Sequence, residues 1–342
     1  MSEDATAHDN GTAHDTGTAH DTAEQLSRRI DTSRAHPARV YDAFLGGKDH
    51  YPADSEAAKA ALAANPRGYL DVRHNRAFLR RAVGQLAAEA GIRQFLDVGT
   101  GLPTQENVHQ IAQRTAPESR VVYVDNDPVV LVHARVLLDS GPAGRTDYVD
   151  ADLRDPATIL REAARTLDFD RPVGLVLVAI LHFVEDEEAY AAVRELLAAL
   201  PSGSHLVLSH LTADRNPERI TKVAETYQKR GLTFVLRPEA KIRKFLTDNG
   251  LEMIEPGLVP VHRWRPDHRP DVERESAADG GAGGAEGAGG ADGPDRTDRG
   301  DGTVVERDGR DGLEDVGRTR YRDIADVTDA DINILAAVAR KP

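Results

Sequence analysis

The residues in this chain most able to do chemistry are carboxylates that close short apolar runs. Phe95-Leu96-Asp97-Val98 leads directly into Gly99-Thr100-Gly101-Leu102-Pro103-Thr104. Glycines at that point let the backbone turn sharply and approach a ligand closely. The next run ends Tyr123-Val124-Asp125-Asn126-Asp127, and the third ends Asp150-Ala151-Asp152-Leu153. In an open α/β sheet, ligands sit outside the carboxyl ends of the strands. Asp125, with Asn126 beside it, is then placed to accept both hydroxyls of a ribose, and Asp152 with the Leu153 backbone to bond an adenine edge. Asp97 beside the glycine turn would repel a pyrophosphate and favour a cation or an ammonium group.

A lone Gly-x-Gly is a weak signal. Pro103 and Thr104 stand where a dinucleotide fingerprint would place small residues and its last glycine, which disfavours a pyrophosphate cradle. No Lys or Arg stands among the three strand ends to hold a phosphate. The pattern fits a nucleoside with a positive centre and no phosphates, namely S-adenosylmethionine (SAM). A fourth run ends Ala179-Ile180-Leu181-His182-Phe183, putting Ala179 and His182 at the mouth of the crevice. His182 is able to accept a proton there, although a structural histidine at a strand end is the commoner case; Tyr41 is a weaker candidate still. Lys48, after Gly46-Gly47, suits a lid whose cation pairs with the SAM carboxylate, or equally a tight turn with a solvated lysine. Arg73 is a second candidate for that carboxylate, or a surface ion pair. Asp127 reads as a helix cap ahead of Pro128.

The elements that position these residues alternate. Short β-branched runs at 94–98, 120–124, 146–149, 173–180 and 205–210 are separated by helical patterns at 104–115, 128–138, 156–167 and 187–200. That alternation predicts a parallel sheet with helices on both faces. Further helices are expected at 217–230 and 239–248, then a strand within 251–261 and a terminal strand at 333–339. Upstream, 54–64 and 69–90 read as helices.

Asp97-x-Gly99-x-Gly101, Asp125 and Asp152 match the SAM-binding motifs of class I methyltransferases. Ala38-Arg39-Val40-Tyr41-Asp42-Ala43-Phe44-Leu45-Gly46-Gly47-Lys48-Asp49, Arg73-x-Asn75-Arg76-x-Phe78-Leu79, Leu181-His182-Phe183-Val184 and Trp264-Arg265-Pro266 are more particular. With them the chain resembles an actinobacterial S-adenosyl methyltransferase family long catalogued as a domain of unknown function. The resemblance implies a Rossmann-like α/β fold with a seven-stranded, mostly parallel sheet, an antiparallel last strand and an N-terminal helical cap. It also implies SAM as cofactor, and it supplies no acceptor.

The net charge of −14 lies mostly in two stretches: residues 1–25 hold six acids and no Lys or Arg, and residues 266–320 hold fifteen acids against eight Arg. The remainder is near neutral, without a basic stripe, so neither nucleic acid nor membrane is an expected partner. The chain has no cysteine, and no apolar run approaches the ~20 residues of a spanning helix. A cytoplasmic protein is expected. The three Thr-Ala-His-Asp repeats at 6–9, 12–15 and 18–21 have nothing to bury, so a disordered tail over 1–33 is expected and no metal site. A Gly-rich disordered insertion is expected at 266–320, splitting a methyltransferase domain into 34–265 and 321–342. The expected function is methyl transfer from SAM to a small-molecule acceptor. The rivals are a SAM-binding sensor or scaffold without turnover and, further off, an NAD-dependent oxidoreductase; the oligomeric state is left open.

Overall fold

The computed structural model describes residues 29–103, 106–137, 143–266 and 327–342. The His-containing repeats, Thr104 at the expected helix start and the Gly-rich stretch after Pro266 lie outside the described residues.

Among the described residues, three complete helices precede the sheet. Helix α1 (Pro37–Leu45) starts with Pro37 in its first turn and ends on Gly46 at φ 78°, a left-handed cap whose N–H bonds the Ala43 carbonyl. Helix α2 (Pro52–Ala64) carries Asp54 in its first turn. Asp54 accepts from the amides of both His36 and Tyr51 at 2.8 Å, which ties the starts of α1 and α2 together. Helix α3 (Gly68–Ala88) buries Phe78, Leu79, Ala82, Val83 and Leu86, a stripe at helical spacing. The expected helices at 54–64 and 69–90 are thus present, and α1 adds a helix not read from the pattern.

From there strands and helices alternate: β1 (Gln94–Val98), α4 (Val108–Thr115), β2 (Arg120–Asp125), α5 (Pro128–Leu137), β3 (Arg145–Asp150), α6 (Pro156–Ala163), β4 (Gly174–Val178), α7 (Asp186–Ala198), β5 (His205–Leu211), α8 (Pro217–Gln228) and α9 (Glu239–Thr247). β1 to β5 are all parallel, in the order β3-β2-β1-β4-β5. The last strand, β8 (Ile334–Arg340), runs antiparallel beside β5, from Leu211 opposite Ile334 to His205 opposite Arg340. The expected strand within 251–261 is two pieces, β6 (Glu252–Met253) and β7 (Val259–Pro260), both pairing β8, so among the described residues the sheet counts eight strands. Pro256 and Gly257, the latter at φ 81°, break that edge.

Alternation along each strand feeds two cores. Phe95, Tyr123, Val176, Val207 and Val338 face α3, α4 and α8, whereas Leu96, Val122, Leu175, Leu206 and Ala337 face α6, α7 and α9. β1 has β2 on one side and β4 on the other. The crossovers diverge at that point and open a crevice above the carboxyl ends of the strands.

Candidate active site

A cavity of about 280 Å³ occupies this crevice. Asp97, Gly99, Thr100, Gly101, Asp125, Asn126, Asp152, Leu153 and Ala179 all line it, and so does Tyr41 from α1. Residues from four strand ends and the helical cap are therefore brought together around one space.

The turn after β1 is built by hydrogen bonds to β2. The amide of Gly99 donates to the Val124 carbonyl at 2.8 Å, and the amide of Gly101 donates to Asp125 Oδ2 at 2.8 Å. Gly99 sits at φ 74°, and a Cβ there would lie 2.5 Å from the Ile180 side chain. Both the backbone angle and the approach of Ile180 demand glycine. Gly99→Ala is accordingly expected to cost about 1–3 kcal/mol of stability, read as a lower thermal midpoint. Loss of cofactor affinity should accompany it, because the clash displaces groups that line the cavity; an unchanged midpoint would refute this.

Asp125 takes a second amide, that of Asp127, on Oδ1 at 2.9 Å. Each of its oxygens keeps one lone pair, since a carboxylate offers about four acceptor sites. Burial raises its pKa, partly offset by these amides. Asp97 is 6% exposed. Burial pushes its carboxyl up to about 7, with Arg76 pulling down and Asp125 pushing up. No hydrogen bond to its side chain forms among the described residues. Such a carboxyl is receptive to a cation. Asp152 is different: Arg154 and Asn126 place four donors on it at 2.7–2.9 Å, and it falls to about 2, with the Arg154 hydrogen bond as the main cause. Its acceptor sites are filled, so an adenine edge would have to displace Arg154.

Two expected residues are elsewhere. Lys48 is exposed in the turn between α1 and α2, and Arg73 lies along the Tyr69 ring at 5.9 Å; neither lines the cavity. Arg76, one turn further along α3, does. Arg154 lines it too, so cations are not missing from the strand ends as the sequence suggested. His182 lies outside this cavity, in the short 3₁₀ turn Leu181–Phe183. Asp127 caps α5 as expected, accepting from the Val129 amide at 3.0 Å, and His36 and Arg39 of the helical cap lie 3.0 and 3.2 Å from its other oxygen. Among the described residues no helix is long and apolar enough to cross a membrane, and no cluster of three or more His, Asp or Glu is disposed to hold a metal.

The family model of the S-adenosyl methyltransferases matches residues 23–287. The chain belongs to the S-adenosyl methyltransferase family. The chain is 44% identical to a DUF574 family protein from Streptomyces avermitilis, over 92% of this chain and 100% of that one, with a TM-score of 0.73. It is 33% identical to a Thermobifida fusca protein assigned as a methyltransferase, over 91% of this chain and 96% of that one, with a TM-score of 0.68. Among curated proteins, the carboxy-S-adenosyl-L-methionine synthase of Trichlorobacter lovleyi is 29% identical over 105 residues, which are 31% of this chain and 39% of that protein. The match thus spans about two fifths of the curated relative's length. SAM is the cofactor of the family, and the fold is that of a class I methyltransferase.

Proposed function

We propose that this chain transfers the methyl group of SAM to a small-molecule acceptor, and that the crevice above β1–β4 holds the donor. The observation that carries this reading is the pairing of Asp97 and Asp125 across one cavity, with the Gly99–Gly101 turn between them. Asp125 accepts the ribose hydroxyls on its two remaining lone pairs. Asp97 faces the amino group, and Arg76, in place of Lys48 or Arg73, faces the carboxylate. Asn126, Asp152 and Leu153 border the adenine, and Ala179 closes the cavity beside the methyl position. SAM supplies a methyl group already activated on a sulfonium. The protein's share is alignment and exclusion of water, which asks for no dedicated catalytic base.

Calorimetric titration of the full chain tests this. SAM and S-adenosylhomocysteine are expected to bind one to one and NAD not at all; NAD binding without SAM binding would reverse the assignment. Transfer of label from SAM into a small-molecule extract is the matching test of turnover.

The Asp97 carboxyl adds a pH dependence. With a pKa of about 7 it is protonated in the free protein below neutrality. Pairing with an ammonium requires the ionised form, so binding must release that proton. Affinity for S-adenosylhomocysteine should therefore fall as pH drops below 7, by at most about tenfold per unit, and level off above 7. Asp97→Asn should flatten this slope; a slope that survives the substitution would exclude Asp97 as its source.

A further inference from the structure

A second cavity, of about 80 Å³, shares Pro37, Tyr41, Ala179 and Phe183 with the first, so these four residues form the partition between them. Its lining is otherwise mostly apolar, from α2, α3, α8 and the 3₁₀ turn. Phe183, Tyr227 and Phe234 pack against one another there, with ring centroids 4.7–6.0 Å apart. Aromatic surfaces at these spacings favour a flat, apolar guest.

The polar groups of this cavity differ in what they have left to offer. Asp71 is committed to Asn333, accepting its backbone amide at 2.6 Å and its side-chain amide at 3.0 Å. The Tyr41 hydroxyl donates to the Val72 carbonyl at 3.2 Å and accepts from Asn75 at 3.0 Å. His182 is 6% exposed, and its Nδ1 has no hydrogen-bond partner among the described residues. Leaving a buried nitrogen unpaired is costly, and a ligand atom able to pair with it recovers that cost. Burial, His210 and Arg237 keep the ring neutral. The nearby Arg237 guanidinium is consumed by Asp186, His210 and the carbonyls of Leu181 and Val184, so it offers nothing to an anion.

We infer that the smaller cavity is the acceptor subsite and that it takes the edge of an uncharged ring bearing one hydroxyl or N–H, held by His182 Nδ1. This rests on the reading of the larger cavity as the SAM site. Size limits the guest further: at about 80 Å³ the space is roughly half of the ~150 Å³ apolar cavity that accommodates benzene, so it seats only the hydroxyl- or N–H-bearing edge of a ring, and the rest of the acceptor must lie outside it.

The probes are phenol, toluene and benzoate, followed by ligand-detected NMR on the full chain in the presence of S-adenosylhomocysteine. Phenol is expected to bind about fivefold more tightly than toluene through the added hydrogen bond, and benzoate not to bind. Val223→Phe and Ala61→Leu, each filling the cavity from a different helix, should abolish phenol binding while calorimetry with S-adenosylhomocysteine stays unchanged. His182→Phe should erase the preference for phenol and keep toluene. Benzoate binding above phenol, phenol binding surviving in either folded filling variant, or a preference untouched by His182→Phe would each overturn the inference. Thermal melts establish which variants fold, and should both filling variants fail, the probe series and His182→Phe still decide. Loss of S-adenosylhomocysteine binding in the unaltered protein, with the phenol pattern intact, would instead overturn the assignment of the larger cavity.

Discussion

Asp125→Ala is expected to lower the affinity for S-adenosylhomocysteine by about 100-fold or more. Two hydrogen bonds from ribose hydroxyls to a charged acceptor are lost, each worth about 1.5–3 kcal/mol. The Gly101 and Asp127 amides lose their acceptor in the same stroke, so part of the loss belongs to a loosened glycine turn. A ligand lacking a ribose hydroxyl separates the two contributions. If Asp125 holds the sugar, the substitution should cost the 2′-deoxy analogue several-fold less than the parent, as in a double-mutant cycle. Calorimetry that finds equal losses for both ligands would place the whole effect in the turn, and an unchanged affinity would remove Asp125 from the site altogether.

The largest loss of stability is expected at Arg237. This side chain is fully buried. Its guanidinium donates to Asp186 at 2.8 Å, to the Leu181 carbonyl at 2.7 Å and to the Val184 carbonyl at 2.8 Å. It also donates to His210 Nε2 at 2.9 Å, which fits a His210 whose Nδ1–H donates to the Leu211 carbonyl. Arg237→Met leaves two carbonyls and an imidazole nitrogen without that donor. Buried acceptors left unpaired cost about 1–3 kcal/mol each, so about 3–5 kcal/mol is expected for the three together. At roughly 2–4 °C per kcal/mol for a protein of this size, the thermal midpoint should fall by roughly 6–20 °C. Arg237→Lys should rescue little, because a point charge cannot serve four partners spread around a planar fork. Asp186→Ala should cost less, since that carboxylate is 40% exposed and already shared with Lys241. A midpoint for Arg237→Met within a degree or two of the unaltered protein would refute the account. The consequence for the site is local: this guanidinium grips the 3₁₀ turn that presents His182 and Phe183.

That Asp97, Asp125 and Asp152 line one cavity was legible because it depends on local pattern. An acid closing each of three apolar runs, with glycines after the first, needs only the strand alternation to bring Asp97, Asp125 and Asp152 to one edge. What required the fold was the choice among neighbours. Arg73 and Arg76 lie three residues apart on the same flank of α3, and periodicity alone cannot say which one the docked helix turns into the crevice. Lys48 read equally as a lid residue or as a solvated lysine in a tight turn, and the turn is what forms, since its glycines serve the exit from α1: the Gly47 amide bonds the Asp42 carbonyl at 3.0 Å. Helix α1 itself was signalled, by Pro37 at its start and Gly46 past its end, but it is only nine residues long. The smaller cavity left no trace in the pattern, since α1, α2, α3, α8, the 3₁₀ turn and β8 each give it one or a few ordinary apolar residues.

β4 was expected to run on to Ile180, and it stops at Val178 because Ala179 adopts φ 58°. Its amide is held there by the carbonyl of Ser209 at 3.3 Å and by the hydroxyl of Ser209 at 3.0 Å, and that hydroxyl donates to Asn75 at 2.7 Å. A left-handed alanine costs about 1–2 kcal/mol that a glycine would not. Anyone engineering this protein for heat tolerance would thus be drawn to exchange it for glycine. The gain in robustness would come at a residue of the partition between the two cavities, where slackness is least welcome.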